Sequence, residues 1–410
     1  MPSITLYFKI HQPYSLVEYG FNDIEVQHSY NDLEATKKNI SHIADECYLP
    51  SNKILLELLR SSNEKFKIAF SISGITLEIL EQYRPDVLKS FRRLVRTGCV
   101  EILAETYYNS LSWLHSKKEF ERQVAKHDVA VKRLLGTAPV VFRNTELIYS
   151  NELAKYIANL GYKGILCEGL QRILKNRTPN QVYASPGNGD FGVLLRNVNL
   201  SDDIAFRFDD VNWNEYPLTA EKFAQWIHSH HGAETNINLF MDYETFGIHK
   251  KKETGIFDFL KAFPEKVLAD DNFKFTTPSE VLQYNYPKDI YDVPTTISWE
   301  DKSKENCVWC ENTQQNNTLK KIYSIENTVY ANGDDANIET WGRLQCADYI
   351  YNMNVESPGH KQNIGSEATS QSAATAYRNY TNILTDFEVT LIRNNLKKYK
   401  QHSTLINNLY

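Results

Sequence analysis

Residues 116–168 read SKKEFERQVAKHDVAVKRLLGTAPVVFRNTELIYSNELAKYIANLGYKGILCE, and the order of patterns along them decides the fold. Ser116 with Glu119 three residues later has capping-box spacing, which predicts a helix start. Phe120, Val124, Val131 and Leu135 then share one helical face, and Gly136 supplies the stop. A short β-rich run follows at residues 140–143, a second helical pattern from Ser150 to Gly161, and a second β-rich run at residues 164–168. Strands separated by helices pair in parallel, because the crossover helix returns the chain to the same end of the sheet.

The same alternation extends over the first 285 or so residues. Residues 4–10 alternate apolar side chains with Thr5, Tyr7 and Lys9. Further strands are predicted at residues 66–72, 100–105, 192–196 and 237–243, and a further helix from Thr219 to near Gly232. Seven strands suit a closed or nearly closed (β/α) barrel, with an open doubly wound sheet as the alternative. No Gly-rich phosphate loop follows an early strand, so the nucleotide-binding form of the open sheet has little to recommend it. The texture changes near residues 286–294. Beyond them helices are predicted at residues 313–330, 339–353 and 373–398, with a polar loop at 356–372. The expected division is therefore a barrel at 1–285 and a mainly helical domain at 286–410.

Composition narrows the class. The 410 residues carry a formal charge of −6, which argues against a nucleic-acid surface, and the short run Lys250–Lys252 reads as a solvated loop. No apolar run is long enough for a membrane span, and the N-terminus lacks a basic leader followed by an apolar stretch. Six dispersed cysteines (Cys47, Cys99, Cys167, Cys307, Cys310 and Cys346) are expected to be free thiols in a cytoplasmic protein. Nothing in the sequence sets the oligomeric state.

Functional residues of parallel barrels collect where strands end. Four predicted strands end in polar clusters: His11-Gln12-Pro13, Glu105-Thr106-Tyr107-Tyr108-Asn109, Arg143-Asn144-Thr145-Glu146 and Asp242-Tyr243-Glu244-Thr245. Asp242 and Glu244, two apart on a strand, are expected to face one side, towards Glu146. Crowded carboxylates raise one pKa and leave another group ionised, the requirement for cleaving a glycosidic bond. Spacing alone equally allows ordinary strand-end carboxylates paired with Arg or capping helices, and Arg143 is expected to pair with one of them.

These clusters, with Phe142-Arg143-Asn144-Thr145-Glu146 and Met241-Asp242-Tyr243-Glu244-Thr245-Phe246-Gly247, resemble the conserved regions of glycoside hydrolase family 57, in its α-amylase and α-amylase-like subgroup. The resemblance continues through Trp309, Leu344-Gln345-Cys346-Ala347-Asp348 and Tyr377-Arg378-Asn379-Tyr380. It implies a distorted (β/α)7 barrel followed by a C-terminal helical domain that completes the cleft. It also implies retaining hydrolysis of α-1,4-glucans by double displacement, with Glu146 as nucleophile and Asp242 as general acid/base. His11 and Asp348 match positions near the substrate-binding cleft, Glu105 and Glu244 are expected beside them, Trp309 is a further expected substrate-binding residue, and no cofactor or metal is implied. Asn109 stands where the subgroup has a His, which leaves substrate length and linkage preference open.

Rival readings are a 4-α-glucanotransferase on the same site, a non-catalytic α-glucan-binding relative, and a metal-dependent deacetylase. The last needs two His four apart on one helical face, which the sequence lacks. His228, His230 and His231 read as surface, and Cys307-x-x-Cys310 is a lone pair without a partner pair.

Overall fold

The computed structural model describes residues 2–230, 236–299, 312–354 and 372–407. The chain forms two compact units that interleave in sequence: the described residues within 1–12, 37–107 and 121–305, and those within 13–36, 108–120 and 306–410.

The first unit contains strands β1 (Ser3–Ile10), β2 (Ile68–Ile72), β3 (Val100–Ile102), β4 (Val141–Arg143), β5 (Gly164–Glu168), β6 (Val182–Ser185), β7 (Asn188–Arg196) and β8 (Asn236–Asp242). All but β6 run parallel and form the barrel wall. Ladders join β8 to β1, β1 to β2 and β2 to β3, and likewise β4 to β5 and β5 to β7. A parallel bridge between Ala104 and Phe142 continues β3 into β4. At the β7–β8 seam, the Asn197 N–H donates to Asn238 O at 2.9 Å, and Arg196 Nε donates to Phe240 O at 2.9 Å. The result is a (β/α)7 barrel, and its seven wall strands are the seven expected from the alternation of patterns.

The lumen is filled by one side chain from each wall strand or its end: Tyr7, Ala69, Leu103, Val141, Leu166, Leu194 and Phe240. Tyr7 and Phe240 meet edge to face with centroids 5.3 Å apart, and burial pushes the Tyr7 phenol pKa up. The alternate residues of β1 and β2 face outward, where Phe8, Phe70 and Phe91 surround Tyr243 under the helical layer. Leu282, on the helix Pro278–Tyr284, packs onto the lumen core. Gly164 and Gly192 make room for it, since a Cβ there would lie 2.4 and 2.1 Å from the Leu282 side chain.

Two differences from expectation have physical causes. Strand β6 was not foreseen, because it forms an antiparallel hairpin with β7 with no helix between them, so helix–strand alternation has no slot for it. The expected boundary at residue 285 is also displaced. Asp289–Ile290 pairs with β6, Tyr291 Oη donates to Glu168 O at 2.9 Å, and Ile297 bridges to Tyr149. The change of texture there marks lost periodicity rather than lost contact with the barrel.

The second unit is mainly helical, with Thr313–Ser324, Glu326–Asn332, Asp335–Leu344, Ala347–Tyr351 and the long Ala373–Asn407. Fully buried Asp386, on that long helix, accepts from the Glu25 N–H and Tyr30 Oη and pairs with His28 Nδ1, which ties residues 13–36 to this unit. Burial opposes its charge, yet these partners outweigh it and hold its pKa below the usual carboxylate range. Residues 108–120 join it through Tyr108, whose hydroxyl donates to Glu339 Oε2 at 2.7 Å and whose ring lies 2.3 Å from where a Cβ on Gly342 would sit. The expected loop at 356–372 lies outside the described residues apart from Ser372. Among the described residues no helix is long and apolar enough to cross a membrane.

Candidate active site

Three charged side chains meet where β1, β4 and β8 end. Thr5, Tyr7 and Lys9 alternate along β1, which makes Lys9 the last residue on the lumen face. The β1–β8 register pairs Lys9 with Asp242, so the two stand side by side on neighbouring strands. Lys9 Nζ lies 2.8 Å from Glu146 Oε1 and 4.0 Å from Asp242 Oδ1. Those spans sum to 6.8 Å, the largest separation the two carboxylate oxygens can have.

Glu146 is held on both oxygens. Trp299 Nε1 donates to Oε2 at 2.6 Å, and the Trp299 backbone N–H donates to the Glu146 carbonyl at 3.2 Å. The residue sits in the tight turn Thr145–Leu147 just beyond β4, with φ +53° and ψ +30°, and Leu147 follows at φ +52°. Left-handed backbone at a non-glycine residue costs on the order of 1–2 kcal/mol. Here it is locked by the Leu147 and Ile148 N–H groups, which donate to Asn144 O and Thr145 O at 3.0 Å each. The Glu146 side chain is 11% exposed and that of Asp242 is 36%, so one carboxyl is enclosed and the other reaches solvent.

Behind them Arg143 and Glu105 form a buried ion pair at 3.5 Å. Burial works against the Arg143 charge, but Tyr7, Glu105, Glu146 and Asp242 together keep its pKa above its ordinary value. The pairing expected of Arg143 is thus with Glu105. It also corrects the reading of Glu105 as a substrate contact, because Glu105 is fully buried and faces the guanidinium.

Glu244 departs from strand parity. β8 stops at Asp242, and the turn Tyr243–Thr245 carries Glu244 to Gln12 Nε2, at 3.0 Å, and to the Tyr48 hydroxyl. Burial first, then repulsion from Asp242, pushes its pKa up to about 7 against the hydrogen bonds it accepts. His11, largely buried, pairs its Nδ1 with Ser73 Oγ at 2.7 Å.

In the helical unit Asp348 accepts from Asn109 Nδ2 at 3.3 Å and from Cys346 Sγ at 3.1 Å. Asn109 has φ +50°, a conformation that Asn tolerates better than most side chains. Trp309, Cys307, Cys310 and His231 lie outside the described residues. His228 bonds Val267 O through Nε2 at 2.9 Å, a structural contact. Sequence reasoning missed Lys9, Trp299 and Tyr48. A charged residue ending the lumen-facing series of β1 was a readable signal for Lys9, whereas Trp299 and Tyr48 reach their carboxylates only through the fold.

The glycosyl hydrolase family 57 model matches residues 5–294. A protein of Methanocaldococcus jannaschii, provisionally named an alpha-amylase, is 37% identical over 397 residues, spanning 94% of this chain and 84% of its own length. The alpha-amylase of Pyrococcus abyssi is 23% identical over 267 residues, 64% of this chain and 39% of that protein. Among solved structures, the Thermococcus litoralis 4-alpha-glucanotransferase superposes with a TM-score of 0.67 at 17% identity, covering 85% of this chain and 56% of that one. The alpha-amylase AmyC of Thermotoga maritima gives 0.64 at 14% identity, covering 96% and 93%. With seven parallel strands, a helical second unit and a family match over most of its length, the chain belongs to glycosyl hydrolase family 57.

Proposed function

We propose that the protein is a retaining glycoside hydrolase of α-1,4-glucans, with Glu146 as nucleophile and Asp242 as general acid/base. The observation that carries this reading is the 6.8 Å upper bound between their oxygens, set by Lys9. Retaining pairs stand about 5–5.5 Å apart and inverting pairs about 6.5–9.5 Å, so the bound admits the retaining spacing and leaves out most of the inverting range. Enclosure suits Glu146 to attack, and exposure suits Asp242 to exchange its proton with a leaving group or with water.

In the first step a Glu146 oxygen bonds to the anomeric carbon as the glycosidic C–O bond breaks. The leaving oxygen takes that electron pair and the Asp242 proton. In the second, Asp242 takes a proton from water as the water oxygen displaces Glu146. A sugar hydroxyl in place of water makes the enzyme a 4-α-glucanotransferase, the activity named for the Thermococcus litoralis relative. Binding roles are proposed for His11, Glu244, Asp348 and Trp309, with Glu105 acting through Arg143. Four buried free cysteines (Cys47, Cys99, Cys167 and Cys346) suit the proposed cytoplasmic location. Incubation with maltooligosaccharides tests the substrate class. Shorter products are expected for hydrolysis and redistributed lengths for transfer, while unchanged oligosaccharides would overturn the proposal.

A further inference from the structure

We propose that Lys9 is a positioning residue that stays the counter-ion of the reacting pair throughout the cycle, serving Glu146 before bond cleavage and Asp242 after it. The inference rests on the roles proposed above for those two carboxyls. Before reaction the negative charge is on Glu146, and Lys9 Nζ is 2.8 Å from it. Forming the glycosyl ester removes that charge, and giving up its proton leaves Asp242 ionised. The negative charge has then crossed the site to a group whose oxygen lies 4.0 Å from the same ammonium. When water attacks, the ester electron pair returns to Glu146 and Asp242 regains a proton, so the charge moves back. A cation fixed between the two positions compensates both states with little reorganisation.

Among the described residues, the charged and titratable groups named next do not duplicate this placement. Arg143 faces Glu146 and Asp242 from β4 but is ion-paired with Glu105 on the buried side. Tyr7, two residues back on β1, shares its hydroxyl with Ser71 Oγ at 2.6 Å. Glu244 repels Asp242 from the following turn and is engaged by Gln12 and Tyr48. Trp299, which also donates to Glu146, is neutral. Lys9 alone among the groups named here combines a charge-assisted contact to Glu146 with an ion-pair distance to Asp242.

The test is the pH profile of kcat/KM on a maltooligosaccharide for Lys9→Met, Lys9→Gln and Lys9→Arg, with melting curves to confirm folding. An α-maltosyl fluoride keeps slow variants measurable, because its leaving group needs little protonation. Removing the positive charge makes both carboxyls harder to ionise. In the Met and Gln variants both limbs are expected to move to higher pH, the acidic one by about one unit or more. Their kcat is expected to fall about tenfold or more, with KM changing less. Lys9→Arg is expected to keep both limbs near wild type. Limbs unmoved in Met and Gln, or an Arg variant that behaves like them, would overturn the proposal, however far activity falls. Failure of the underlying assignment is seen separately, as retained turnover in Glu146→Gln.

Discussion

At the scale of single residues, Glu146 combines left-handed backbone, two directed donors and an enclosed carboxylate. Replacing it with Gln keeps the shape and removes the charge. Turnover is expected to fall at least about a thousandfold, with the melting temperature within about 3 °C of wild type, read by calorimetry. In Glu146→Gly, azide is expected to restore turnover and give a glycosyl azide of inverted anomeric configuration. Absence of that product in an otherwise folded variant would count against Glu146. The Arg143–Glu105 pair makes a different demand. Glu105→Gln leaves a guanidinium buried without its counter-charge, which is expected to cost about 3 kcal/mol in denaturant unfolding. These carboxylates were legible in the sequence because each ends an apolar run. The roles of Arg143 and Glu105 as a buried support were half legible. Trp299 was not, since its contact with Glu146 spans 153 positions in the chain.

At the scale of elements, the barrel depends on two glycines that let Leu282 approach the lumen core. Gly192→Ala would place a Cβ 2.1 Å from a Leu282 methyl, and beyond that meets only contacts of 3.4 Å or more. Gly164→Ala meets both a Leu282 methyl at 2.4 Å and the Gly192 carbonyl oxygen at 2.5 Å. Each is expected to destabilise by about 1–3 kcal/mol. Adding Leu282→Ala is expected to relieve Gly192→Ala, apart from the cost of the Leu282 truncation itself, and to leave Gly164→Ala strained, because backbone cannot withdraw as a side chain can. A double-mutant cycle by chemical denaturation separates the two. The wall strands were readable because period-2 runs alternate with capped helices, as at Ser150, whose Oγ accepts from the Leu153 N–H at 3.2 Å. The β6–β7 hairpin breaks that alternation and escaped it. Parity also failed at Glu244, because a turn replaces the strand after Asp242.

At the scale of the whole molecule, buried carboxyls set how stability responds to pH. Glu244 and Glu101 are both pushed up to about 7, chiefly by burial. A carboxyl whose folded pKa lies above its unfolded value of about 4.5 favours folding fully below that value, and the contribution is lost as pH rises through about 7. Wild-type melting temperature is therefore expected to decline between about pH 5 and pH 8 from this source. In Glu244→Gln the decline is expected to shrink without vanishing, since Glu101 remains. An identical slope in the two proteins would show that Glu244 is not held neutral. The interleaving of the two units was invisible to a single cut along the sequence, because Asp386 gathers partners some 360 positions away.

The proposal as a whole stands on Glu146 becoming covalently bound to sugar. Brief reaction of the wild-type enzyme with 5-fluoro-α-glucosyl fluoride, followed by proteolysis and mass spectrometry, locates that bond. The expected result is a glycosylated peptide carrying the label on Glu146. A label on another carboxylate, or turnover with inverted products and no adduct, would contradict it.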